Sequence, residues 1–319
     1  MQSPTSNLIP ISPAVLVADV WPQTDVFLVS SPTEAPVLFF TGTDDSARRS
    51  AAERVDSLYN KLFIDVADAQ RYEAFVSDHW QEIINSDKLP AVDQVGLFSE
   101  VVRHLLKSEF ESGNAAKILA ASKELGAATC NVVADSEIAI PQLLNVLHHD
   151  YGTFTHSTNV SLFSVLLARE LGMPEHELQE IAVGGLVHDL GKLQIEPAIL
   201  NKPGRLTDDE FRVVKQHPTI GYRELCRQDL SFGQLMMVYQ HHEKINGSGY
   251  PVGCEGDEIH PWARICTVVD VYEALTSNRP YRQPASRQAA LAILNNGDGS
   301  EFDSEVLKCW RMMIEKLPQ

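Results

Sequence analysis

The spacing of apolar and polar positions changes once along the chain. Up to about residue 85, the short apolar runs "DVFLVS" and "PVLFFTGT" predict strands, and "LFIDV" a third. Among them, "DDSARRSAAERVDSLYNKL" and "AQRYEAFVSDHWQEII" repeat apolar residues every three to four positions and predict amphipathic helices. The first of these opens on acidic residues, which suit a helix N-terminus. The stretch "NSDKLPAVDQ", Asn85 to Gln94, breaks both patterns and predicts a connector.

Beyond it the helical period takes over. "LFSEVVRHLLKSEFE", "NAAKILAASKELGAATCNVVA", "AIPQLLNVLHH", "NVSLFSVLLARELG", "HELQEIAVGGLVHDLG", "TDDEFRVVKQHPTIGYREL" and "QLMMVYQHHE" each predict a helix, with no long strand pattern between them. The expected fold class is therefore mainly α. A small α+β unit, a candidate sensory or regulatory domain, occupies residues 1–90. A helical connector follows at 91–135, and a helical bundle at 136–319.

Composition narrows the partners. The 319 residues, 44% hydrophobic and 22% charged, are enough for a sizeable core. The five cysteines are scattered, without a CxxC pair, and predict reduced thiols in the cytoplasm. No run approaches the roughly 18 apolar residues of a membrane span, and the N-terminal stretch lacks the basic region of a signal peptide. A formal net charge of −17 argues against polymeric nucleic acid as a partner. A small anion remains open, because metal cations and a few basic residues can make a local positive site.

Histidine is where the chemistry gathers: nine of the eleven fall between His148 and His260. Metal-capable residues recur there as His156, the adjacent pair His188 and Asp189, His217, the adjacent pair His241 and His242, and Asp270. Neighbours on a helix diverge by about 100°, so His241 and His242 cannot share one apolar face. Asp270 lies in the apolar run "RICTVVDVYEAL", where an unpaired carboxylate would be costly to bury. Mixed imidazole and carboxylate donors suit first-row metals. A lone His156 or His217 is more often a capping or surface residue, and "HD" alone is a weak match; the ordered set carries the argument.

That set sits within "HDLGK", "ILNKPGRLTDDEF", "HP..G", "HHEKINGSGYP" and "D..EALTSNRPYR". Together these blocks resemble the HD-GYP family of cyclic dinucleotide phosphodiesterases, a branch of the HD superfamily of metal-dependent phosphohydrolases. The resemblance covers about residues 136–319 and implies an HD-type helical bundle. It implies two divalent first-row ions, iron or manganese foremost, with nickel, cobalt or zinc as alternatives. His156, His188, Asp189 and Asp270 would hold one ion. Asp189, His217, His241 and His242 would hold the other, with Asp189 bridging. Asp189 and Lys192 take catalytic roles, and a water shared by the ions is the expected nucleophile. Lys192, Tyr250, Glu273, Arg279 and Arg282 are the implied substrate contacts, with Glu273 also orienting Lys192.

Three positions depart from the family pattern. Gly152 replaces a glutamate that supports a third ion in some members, which favours two. Asn246 replaces an aspartate before the glycine-rich turn, and Glu273 an aspartate. Outside the ligand set, Thr207 and Glu210 have capping-box spacing, and "EFDSEV" resembles the family's closing block, which implies a stabilising role. The implied activity is hydrolysis of cyclic di-GMP to linear pGpG, with onward cleavage to GMP left open. The alternatives are a cyclic di-GMP-binding regulator with little turnover, or a phosphodiesterase for a mixed cyclic GMP-AMP dinucleotide. A homodimer or a signalling protein could be engaged through the N-terminal unit.

Overall fold

The computed structural model describes residues 7–11, 23–29, 35–42, 62–84, 101–102, 105–106, 109, 113–134, 153–277 and 283–316. The chain divides into two compact units, Met1–Leu105 and Leu106–Gln319.

In the first unit, β1 (Leu8–Pro10), β2 (Val26–Leu28), β3 (Val37–Phe40) and β4 (Leu62–Asp65) form one antiparallel sheet in the order β1-β4-β2-β3. Along β4, Leu62 and Ile64 are buried while Phe63 and Asp65 are half-exposed, the period-two alternation of a strand with one covered face. Asp65 then accepts the Ala67 N–H at 2.8 Å and turns the chain into α1 (Ala69–Ile84). Tyr72, Val76 and Trp80, four apart, form the buried stripe of α1. The three strands and the second helix expected here are present. β1 is an addition, too short for a period to show. The expected helix over 44–62 lies almost wholly outside the described residues. So do the connector at 85–94, the helix over 139–149 and most of that over 97–111.

The second unit is helical: α2 (Ala115–Ala134), α3 (Thr153–Glu170), α4 (Glu175–Val187), α5 (Pro197–Leu200), α6 (Asp208–Val214), α7 (His217–Leu225), α8 (Phe232–Gln240), α9 (Pro261–Thr276), α10 (Arg287–Asn296) and α11 (Ser304–Glu315). α4 packs against α2, α3 and α8, and α9 packs on α3 and α8. Trp310 of α11 is fully buried, with its ring 5.6 Å from Phe163 of α3 and 5.0 Å from Tyr272 of α9. Among the described residues, no helix is long and apolar enough to cross a membrane.

The helical stretch over 207–225 is two helices, with the boundary at His217 that the following proline predicts. Pro218 has no N–H to give the Val214 carbonyl, so the α-helical ladder stops there. α6 starts on the expected capping box: Thr207 Oγ1 accepts the Glu210 N–H at 3.3 Å, and Glu210 Oε2 accepts the Thr207 N–H at 2.7 Å. The closing block is structural too. Asp303 caps α11 and accepts from Arg264 Nη1 at 2.9 Å.

Candidate metal centre

Three histidines sit where helices end. The last carbonyls of an α-helix lack an intrahelical partner. His188 follows α4, and its Nδ1 lies 2.7 Å from the Gly185 carbonyl. His241 follows α8, with Nδ1 3.0 Å from the carbonyls of both Met237 and Val238. His217 follows the break after α6, with Nδ1 2.8 Å from the Val214 carbonyl, the group that Pro218 cannot serve. A carbonyl only accepts, so each Nδ1 carries the proton and each Nε2 keeps its lone pair.

Those lone pairs converge. His217 Nε2 lies 3.2 Å from His241 Nε2 and 3.2 Å from Asp189 Oδ1. His241 Nε2 lies 3.7 Å from the same oxygen, and His188 Nε2 lies 3.5 Å from Asp189 Oδ2. None of these is a hydrogen bond, since every atom is an acceptor. His188 Nε2 and Asp189 Oδ1 are accordingly buried without a hydrogen-bond partner. Several buried acceptors pointing at one another are costly alone and are reconciled by a cation among them.

His156 is oriented differently. It stands in the first turn of α3, and its Nδ1 meets Glu273 Oε2 at 2.5 Å. Its Nε2 faces Asp270 Oδ1 at 3.1 Å and Asp189 Oδ2 at 3.5 Å. His242 turns the other way from its neighbour, with Nδ1 3.9 Å from Asp270 Oδ2. Ligand-capable atoms thus form two groups: Asp189, His217, His241 and His242 in one, and His156, His188 and Asp270 in the other. Asp189 presents Oδ1 to the first group and Oδ2 to the second, the placement a shared ligand needs.

Burial and charge set the protonation states. Burial lowers His188 to about 4, against the pull of Asp189. It also lowers His217, and takes His242 well below the usual value with help from His241. These imidazoles are neutral near pH 7, as metal ligands must be. Burial would raise Asp189 and Asp270, yet both stay well below the carboxylate range, Asp189 through Lys192 and His188, Asp270 through His156. Burial would lower His156, but Glu273, Asp189 and Asp270 raise it well above its usual value. Three buried carboxylates thus draw positive charge to this spot, and a proton or a cation at His156 Nε2 answers the same need. The donor set fits divalent first-row metals.

Around the ligands, Lys192 reaches Asp189 Oδ2 and is a quarter exposed, so its ammonium lies at the rim of the site. A Cβ on Gly191 would fall 2.0 Å from the His217 carbonyl oxygen, so only glycine lets the turn after Asp189 approach α7. Tyr250 lies against His242, ring centroids 4.7 Å apart at 30°, and edge-on to His217 at 6.5 Å. Its loop is held by a residue the sequence reading passed over. Buried Glu243 accepts the Val252 N–H at 2.8 Å and the Gly253 N–H at 3.1 Å. The signal available was its place next to two candidate ligands. Asn246 Oδ1 accepts from Ser248 N at 3.0 Å and Ser248 Oγ at 2.7 Å. Such a turn needs only an acceptor oxygen, so asparagine serves it as aspartate would.

Glu273 corrects an expectation. As a substrate contact or an orienter of Lys192 it should face the opening, yet it is 2% exposed and both oxygens are committed. Oε2 takes His156; Oε1 takes Asn159 Nδ2 at 3.0 Å and Ser277 Oγ at 2.5 Å. Three buried donors outbid solvent-side partners for this carboxylate. Arg279 and Arg282 lie outside the described residues.

A helical bundle that collects histidine and aspartate from helix ends around one shared carboxylate is the arrangement of an HD domain. The HD domain family matches residues 141–306, and the chain belongs to it. A cyclic di-GMP phosphodiesterase of Pseudomonas aeruginosa is 38% identical over 174 residues, which cover 54% of this chain and 42% of that protein. A cyclic di-GMP phosphodiesterase response regulator of Xanthomonas campestris is 41% identical over 158 residues, 49% of this chain and 42% of that one. A 3'3'-cGAMP-specific phosphodiesterase of Vibrio cholerae is 38% identical over 168 residues, 52% of this chain and 36% of that one. The chain thus spans less than half the length of each of these relatives. An HD-GYP-type protein from Bdellovibrio bacteriovorus shares the fold, with a TM-score of 0.66 at 16% identity over 97% of this chain and 100% of that one. The HD-GYP resemblance is borne out.

Proposed function

We propose that the protein is a metal-dependent phosphodiesterase hydrolysing cyclic di-GMP to linear pGpG, with GMP as the further product to be tested. The observation that carries this reading is Asp189, whose two oxygens face two separate groups of metal-capable atoms. His156, His188, Asp189 and Asp270 would hold one divalent ion, and Asp189, His217, His241 and His242 the other, with iron or manganese foremost. Such a pair supplies Lewis acidity and a water of lowered pKa. The chain's own contribution is orientation and charge. Helix-end carbonyls and Glu273 fix the imidazoles, Lys192 offers an ammonium to substrate phosphate, and Tyr250 offers a ring face to a base. Arg279 and Arg282 complete the proposed substrate contacts. The substrate class rests on the names of the relatives, of which some act on cyclic di-GMP and others on cyclic GMP-AMP. The scattered cysteines support a cytoplasmic location.

The test is to load the protein with iron or manganese anaerobically and follow cyclic di-GMP by chromatography. The expected result is metal-dependent appearance of pGpG that stops on chelation. Tight binding with intact nucleotide would replace the enzyme by a regulator. Faster loss of cyclic GMP-AMP would keep the chemistry and change the substrate.

A further inference from the structure

A cation lies close to two aromatic rings at the rim of the ligand groups. Lys215 caps the C-terminal end of α6, one turn after Phe211, and its Nζ is 4.9 Å from the Phe211 ring centroid. The same Nζ is 5.1 Å from the ring of Tyr250, which in turn rests against His242. Outward from the ligands the order is therefore His242, Tyr250, Lys215, Phe211. Phe211 is 46% exposed, a large ring kept in solvent.

An exposed phenylalanine and lysine four apart on a helix are a common surface pair. Two features set this one apart. Tyr250 brings a second ring within cation–π distance of the same ammonium, from a loop that Glu243 holds in place. Among the described residues Lys215, like Lys117 and Lys308, has no ion pair, whereas Lys123, Lys202, Lys244 and Lys316 each meet an aspartate or glutamate. On a chain of net charge −17, an ammonium without a carboxylate at the rim of the metal-capable groups is available to an anionic ligand.

A cyclic dinucleotide carries two phosphodiesters and two bases. Only one phosphodiester can lie at the metal-capable groups beside Lys192, and the second nucleotide must lie outside them. We infer that Phe211, Lys215 and Tyr250 form the contact surface for that second nucleotide, with Lys215 meeting its phosphate and the rings flanking its base. This rests on the cyclic dinucleotide reading above. Stacking on aromatic side chains tolerates either purine, so the surface serves cyclic di-GMP and mixed dinucleotides alike.

Lys215→Met, which keeps the packing stem and removes the charge, separates this role from general chemistry. With metal loaded, kcat/KM is measured for the cyclic dinucleotide and for bis(p-nitrophenyl) phosphate, which has no second nucleotide. A lost charged contact should lower the first by about tenfold, mainly through KM. Bound metal and the small diester should stay within about twofold of the parent, and Lys215→Arg should recover most of the loss. An equal fall on both substrates, or no fall on the dinucleotide, overturns the inference and leaves the proposed activity standing. A parent protein that cleaves the small diester but neither binds nor cleaves any cyclic dinucleotide overturns both.

Discussion

His156 and the trio His188, His217 and His241 present the same atom, Nε2, to the same aspartate, but they are held by different means. The trio is fixed by helix-end carbonyls of Gly185, Val214, Met237 and Val238. His156 is fixed by a side chain, Glu273. A carbonyl is neutral and belongs to the backbone; its bond sets the tautomer and survives any side-chain substitution that leaves the helix intact. A carboxylate sets the tautomer and also makes the ring more basic, and it can be removed by one substitution. In the group with Asp189 and His242, His217 and His241 are therefore set by helix termination, whereas the group that joins His156 to carbonyl-held His188 also depends on a buried network of Glu273, Asn159 and Ser277.

The largest expected effect comes from erasing what both sides share. Asp189→Ala takes the carboxylate that faces histidines of both groups at closest range, His217 and His241 through Oδ1 and His156 and His188 through Oδ2. Both ions should be lost, and phosphodiester turnover should fall by at least about a thousandfold, or ~4 kcal/mol in the barrier. Elemental analysis beside turnover measures this. A variant that keeps two ions and its rate would end the shared-ligand reading.

Glu273→Gln acts on one side alone and is the sharper probe of the comparison. Glutamine can still accept from His156 Nδ1, but without the charge that makes the ring a stronger donor. Activity should drop by roughly 10- to 100-fold, the usual cost of losing such an orienting carboxylate. Metal content should fall toward one ion, with the group of Asp189, His217, His241 and His242 keeping its own. Equal loss of both ions would show that the two sides are not independently held.

The same contrast explains what could be read from sequence. The ligand residues were legible because side-chain types carry the signal: His188 with Asp189, His241 with His242, and Asp270 in an apolar run. The carbonyls that orient them were not, because a carbonyl is named by no letter. Yet Pro218 announced one of them indirectly, by depriving Val214 of its helical partner. Glu273 was legible as a carboxylate near the site but not in its direction, which depends on Asn159 from a helix 114 positions away. The helices were read well where a stripe repeats over several turns, as in α1 and α2. The apolar spacing runs on through the break between α6 and α7, and Pro218 alone marks it in the sequence, as a helix boundary at His217. Glu243 was missed because its partners, the amides of Val252 and Gly253, are again backbone.

Glu243 gives the smallest expected effect, and the one that reaches beyond the ligands. Its carboxylate uses Oε1 for Val252 and both oxygens for Gly253, at 3.1 Å each. Glu243→Gln keeps one acceptor and turns the other into a donor facing an amide N–H. Weakening a charge-assisted bond should raise hydrogen exchange at the Val252 and Gly253 amides by about tenfold. Metal content should not change, because the Nδ1 bonds of His241 run to Met237 and Val238 and not to Glu243. Turnover of the cyclic dinucleotide should fall only a few-fold, through a loosened Tyr250 whose contact with His242 depends on this loop. A fall in bound metal would instead make Glu243 part of the ligand scaffold, and the division between a carbonyl-held side and a carboxylate-held side would need a third member.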